Sequence, residues 1–157
     1  DEVAQTIAHA GDFNHGYTYS GHPVAAAVAL ENLRIMQDEK IVETVRDDTG
    51  PYLQEKWTAL GDHPLIGQAH ISGMMGSLAM TPDKSARAQF EAPAGTVGLI
   101  CRDICFGSGL IMRHVGDRMI ISPPLVISKS EIDTLIDRAT AALDQTYDKI
   151  KAEGLYR

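Results

Sequence analysis

Residues 15 to 23 read His15-Gly16-Tyr17-Thr18-Tyr19-Ser20-Gly21-His22-Pro23. Two glycines let the backbone come close to a ligand, and Thr18 and Ser20 add hydroxyl donors. Pro23 suits the first position of a helix, and the unpaired N–H groups of a helix start favour an anion. Binding of a phosphate or carboxylate is one reading of this loop. The other is a set of turns and caps, the common use of Gly/Ser/Thr-rich loops ahead of helices. A second candidate is Arg113, within Leu110-Ile111-Met112-Arg113-His114-Val115. Side chains alternate along a strand, so Arg113 shares a face with Ile111 and Val115. A guanidinium on an apolar face needs a partner, either a structural acid or a substrate carboxylate that it can grip with two hydrogen bonds.

Other chemically capable residues have plainer readings. Cys101 and Cys105 are one helical turn apart and read as small buried apolar residues. The six histidines show neither an HxxxH nor an HxH pattern, so no metal site is expected. Met74, Met75 and Met80 read as core filling, and Arg118 as a solvent-facing strand residue.

The elements that would position these residues follow from the pattern. A short helix is expected over residues 2–9 and a loop over 10–22. A helix opens at Pro23, with Val24–Leu30 apolar on every side and so suited to burial all round. Ile41, Val42, Val45, Leu53, Trp57 and Leu60 fall near one face of a second helix, with a kink or break at Gly50-Pro51. Residues 65–80 suggest one or two strands with glycines where backbones approach. A helix is expected over 95–107, then two strands, Leu110–Val115 and Arg118–Ser122, joined by Gly116-Asp117 as a two-residue hairpin turn. Ser128 and Glu131 form a capping box for a last helix. Its stripe is Ile132, Leu135, Ile136, Ala139, Leu143, Tyr147 and Ile150, and Gly154 ends it. Helices with a small antiparallel sheet make an α+β chain.

Composition narrows the classes. The chain has 157 residues, 44% apolar, with 21 acids against 14 bases and a net charge of −7. Without a Lys/Arg block, nucleic acid and anionic membrane surfaces are poor partners. No apolar run approaches the roughly 20 residues of a membrane span. Two cysteines and no signal peptide point to a cytoplasmic, reducing compartment.

The run Phe13–Ala29 is very similar to a stretch of the class III pyridoxal-phosphate-dependent aminotransferases, the ω-transaminases. The similarity continues in order through Ile71-Ser72-Gly73-Met74, Cys101-Arg102-Asp103, Leu110–Arg113, Gly116-Asp117 and Ile121-Ser122-Pro123-Pro124-Leu125. The resemblance implies the C-terminal part of a fold-type I enzyme. Residues 1–22 would be the tail of the large cofactor-binding domain, 23–61 linking helices and 62–157 a small α+β domain. It implies a homodimer in which Thr18 reaches across the interface to the phosphate of pyridoxal 5′-phosphate held by the other subunit, with Tyr17 beside that pocket. Ser20 and His22 would brace the loop. In the amine–pyruvate branch, Arg113 would pair with the substrate carboxylate.

That family also uses a lysine, usually followed by glycine and upstream of the threonine loop, which forms a Schiff base with the cofactor. Here the lysines are Lys40, Lys56, Lys84, Lys129, Lys149 and Lys151, and none is followed by glycine. Asp1-Glu2-Val3 imitates the family's Asp-Glu-Val triplet and reads as a decoy. No catalytic residue is therefore expected here, and the chain alone should not transaminate. The intact enzyme should move an amino group from an amine or amino acid to a keto acid such as pyruvate. An aminomutase or decarboxylase of the same fold is an alternative, as is a non-catalytic dimerisation or anion-binding module. Exposed apolar surface is expected near Val24–Leu30, where a large domain would pack.

Overall fold

The computed structural model describes residues 1–11 and 16–156. Its contacts divide the chain into two units, Asp1–Glu39 and Lys40–Arg157. This boundary falls inside the stretch read from sequence as linking helices.

The first unit contains two helices, α1 (Glu2–Ala10) and α2 (Pro23–Asp38). Asp1 caps α1 by accepting from the Ala4 N–H at 3.5 Å. Pro23 takes the first turn of α2, where its missing N–H costs no hydrogen bond. Arg34 ties Glu31 and Asp38 together on the outer surface of α2. The all-apolar start is not buried as its composition suggested. Val24, Val28 and Leu30 are each about two-thirds exposed, and neither helix has a buried residue. Two helices alone have no second layer to cover such a face, and this is the exposed apolar surface expected there.

The second unit begins with α3 (Ile41–Thr44), a π-helical turn (Val45–Thr49) and α4 (Gly50–Ala59). The interruption expected at Gly50-Pro51 is this π turn, in which the Gly50 N–H donates to the Val45 carbonyl five residues back. A Cβ on Gly50 would stand 2.3 Å from that carbonyl oxygen, so only glycine closes the turn. Leu53, Trp57 and Leu60 are buried as the helical spacing suggested, whereas Val42 is exposed.

Four antiparallel strands follow in the spatial order β1-β2-β4-β3: β1 (Ile66–Ser72), β2 (Met75–Met80), β3 (Arg113–Val115) and β4 (Arg118–Ile121). Helix α5 (Thr96–Gly107) comes between β2 and β3, and α6 (Lys129–Ala152) closes the chain. Helix α4 packs on β1 and α6, and α5 packs on α6, β3 and β4. The core between helices and sheet holds Trp57, Leu78, Met119, Ile121, Cys101, Ile132 and Leu143. Met74 and Met80 are buried with it, but Met75 is largely exposed.

Residues 110–112 do not join β3; in its register Leu110 and Ile111 would face Pro123 and Ser122, beyond the end of β4 at Ile121. Leu110 and Met112 are still buried while Ile111 is exposed, so the alternation outlasts the ladder. The capping box forms as expected: the Ser128 N–H donates to the Glu131 carboxylate at 2.8 Å, and Ser128 Oγ accepts from the Glu131 N–H at 3.3 Å. The Ser128 donors hold the Glu131 carboxyl below its usual range.

Candidate functional site

Thr18 lies in the turn spanning residues 18–21, just ahead of α2. The turn is closed by two backbone bonds, Ser20 N–H to the Tyr17 carbonyl at 2.9 Å and His22 N–H to the Tyr19 carbonyl at 3.1 Å. Ser20 Oγ accepts from the Tyr17 N–H at 3.1 Å, and His22 Nδ1 accepts from the Ala25 N–H at 3.5 Å. Ser20 and His22 thus have bracing and capping roles, with the His22 proton on Nε2 when Nδ1 accepts. Among the described residues, nothing bonds to the Thr18 hydroxyl or to its N–H. Two short neutral donors on one residue stand ready for an acceptor from elsewhere. That donor set suits a phosphate, which is best held by preorganised N–H and O–H groups. Tyr17 is exposed beside Thr18. Phe13, Asn14 and His15, at the start of the run similar to the aminotransferases, lie outside the described residues.

Arg113 opens β3, on the face of the sheet away from the helices. Register fixes its neighbours there: Arg113 pairs with Ile120, Ile120 with Ser77 and Ser77 with His70. The next row is Val115, Arg118, Ala79 and Gln68. Paired residues of antiparallel strands share a face, so both arginines stand on this open side. Ile111 and Val115 are exposed as well. Among the described residues, the Arg113 guanidinium has no acid or other hydrogen-bond partner. The structural acid that one reading required is therefore absent among them.

Arg118 corrects the expectation of a solvent-facing residue. It is half-buried, and its Nη1–H donates to Ser77 Oγ at 3.2 Å. Asp117 is a residue whose role the sequence did not suggest. Its carboxylate accepts from the Gly95 N–H at 3.1 Å and the Gly98 N–H at 2.9 Å, capping α5 from the hairpin tip. A Cβ on Gly98 would lie 2.1 Å from the Gly116 carbonyl oxygen, so the hairpin and α5 fit only with glycine there. A sequence signal existed in Gly95 and Gly98 flanking a helix start, but the capping carboxylate lies about twenty residues later in the chain.

Cys101 and Cys105 are free and buried side by side on α5. Their mutual hydrogen bond, then burial, pushes the Cys105 thiol up, so it remains protonated and packs as an apolar group. Among the described residues, no cluster of His, Cys, Asp and Glu could hold a metal ion. No helix among them is long and apolar enough to cross a membrane.

Comparison with known proteins assigns the class. The family model for class-III aminotransferases matches residues 1–143. The chain belongs to the class-III aminotransferases. It is 55% identical over 146 residues to the putrescine–pyruvate aminotransferase of Pseudomonas aeruginosa, covering 93% of this chain and 32% of that protein. It is 38% identical to gamma aminobutyrate transaminase 3 of Solanum lycopersicum, over 90% of this chain and 27% of that one. A solved transaminase with L-Ala superposes with a TM-score of 0.82 at 35% identity, covering 94% of this chain and 34% of the other. The ω-transaminase of Pseudomonas jessenii in complex with PMP gives 0.81 at 34% identity, over 95% and 32%. The chain thus spans about a third of the length of the relatives it matches. The α+β unit of helices on a small antiparallel sheet is part of this transaminase fold.

Proposed function

We propose that the full-length protein is a pyridoxal-phosphate-dependent ω-transaminase that moves an amino group from an amine donor to pyruvate, and that this chain supplies part of the cofactor grip and the carboxylate recognition. The observation that carries the reading is Thr18, whose hydroxyl and N–H are both unengaged in a braced turn. Thr18 would hold the cofactor phosphate from across a homodimer interface, with Tyr17 as an aromatic wall beside it. When bound, the cofactor supplies the carbonyl that takes up the amino group and the electron sink for proton loss.

Arg113 would orient the keto acid by pairing with its carboxylate, and would stay idle toward an amine that has none. The relative at 55% identity is named for putrescine and pyruvate, which supports a diamine donor and this acceptor. The buried free thiols Cys101 and Cys105 are compatible with a cytoplasmic enzyme.

The test is direct. Full-length protein with added cofactor should form alanine from pyruvate when a diamine such as putrescine is supplied, and none when cofactor is withheld. Release of carbon dioxide, or migration of the amino group within one substrate, would instead identify a decarboxylase or an aminomutase.

A further inference from the structure

A cavity of about 510 Å³ opens on the second unit, between the loop after β2 and the β3–β4 hairpin. Two guanidiniums line it, Arg87 from the loop and Arg118 from β4. Arg118 is engaged only with the Ser77 hydroxyl, and Arg87 has no partner among the described residues. Asp117, the one carboxylate among the described wall residues, already accepts from the Gly95 and Gly98 N–H groups. Among the described residues neither arginine therefore has a counter-ion, in a chain whose net charge is −7.

The remaining walls are mixed. Gln68 and Gln89 bring amides, and Phe90, itself buried, brings an apolar surface. Guanidinium groups pair with planar carboxylates through two parallel bonds, which fixes orientation as well as charge. A bare inorganic anion would leave the apolar wall unused. A short carbon chain with a carboxylate at each end uses both the cations and the ring. Arg113 does not line this cavity, so the recognition proposed for the keto acid is not repeated here.

We infer that this cavity is a second anion site, built by Arg87 and Arg118 to take a short-chain dicarboxylate. It is independent of the transaminase reading, since none of its residues holds the cofactor or the acceptor. Succinate is the probe, because it has neither an amino nor a keto group to exchange.

Calorimetric titration of the full-length protein with succinate should give saturable binding. Arg87→Gln and Arg118→Gln should each weaken it about tenfold or more, while Arg113→Ala should keep this binding event and lose only such succinate as Arg113 itself takes up. Arg87 is an exposed loop residue, so Arg87→Gln should keep parental catalytic rates and thermal unfolding. The inference is overturned by an absence of succinate binding, as when other parts of the protein fill the cavity. It is also overturned if Arg87→Gln and Arg118→Gln bind like the parent, if Arg113→Ala alone removes binding, or if inorganic phosphate binds as tightly as succinate.

Discussion

Arg113→Ala in the full-length enzyme is expected to raise the KM for pyruvate by roughly 30-fold to 1,000-fold, while the KM for putrescine hardly moves. The range corresponds to about 2–4 kcal/mol, the usual loss when one partner of a desolvated charge pair is truncated. The asymmetry comes from the chemistry of the two substrates, since pyruvate carries a carboxylate and the diamine does not. Arg113 has no competing acid among the described residues, so its charge is available in full to an incoming anion. Its exposed neighbours Ile111 and Val115 provide an apolar setting that strengthens the pair once water is excluded. Arg113→Lys should recover only part of the loss, because an ammonium cannot form the two parallel bonds of a guanidinium. Separate half-reaction kinetics with each substrate make the measurement. An equal rise in KM for both substrates would mean that Arg113 supports structure and does not recognise the carboxylate.

Trp57→Ala is expected to destabilise the second unit by about 3–5 kcal/mol. Trp57 is fully buried, and its indole N–H is shared between the His70 and Ser77 carbonyls at 3.2 and 3.4 Å. It therefore fastens α4 to both strands of the first hairpin. Its ring occupies the space above Gly76, where a Cβ would come within 2.8 Å of it. Removing the side chain leaves a cavity and takes the indole donor away from the His70 and Ser77 carbonyls. Domain stabilities are of the order of 5–15 kcal/mol, so the loss is a large share of the total. Trp57→Phe should cost less, because the ring volume is mostly kept and only the donor is lost. Thermal unfolding with peptide-level hydrogen exchange over β1 and β2 checks this. Unchanged protection of those strands in Trp57→Ala would contradict it.

Local signals carried most of the fold. The Ser128 and Glu131 spacing placed the start of α6 because both partners sit within one turn. Pro23 placed the start of α2, and Gly116-Asp117 placed the hairpin, for the same reason. Features that depend on distant partners were less visible. The Gly50-Pro51 break became a π turn because the Gly50 N–H found the Val45 carbonyl, an outcome that residue order alone does not choose. Strand β3 covers only Arg113–Val115, although the alternation of buried and exposed residues continues back through Leu110. Asp117 caps a helix that precedes it by some twenty residues, and Arg118 lies along the open face of the sheet to reach Ser77. Thr18 and Arg113 are a different case. Composition gave each two readings, and only family resemblance favoured a ligand. Within the described residues both keep unengaged donors, as groups that act on a molecule from outside this chain would.

The central claim is that Thr18 holds a phosphate bound elsewhere in the dimer. Titration of the full-length apoenzyme with pyridoxal 5′-phosphate, for the parent, Thr18→Ser and Thr18→Val, tests it most directly. Losing a charge-assisted hydrogen bond costs about 1.5–3 kcal/mol. Thr18→Val should therefore bind the cofactor roughly ten- to a hundredfold more weakly, while Thr18→Ser, which keeps the hydroxyl, stays close to the parent. Equal cofactor affinity in the parent and Thr18→Val would contradict the account.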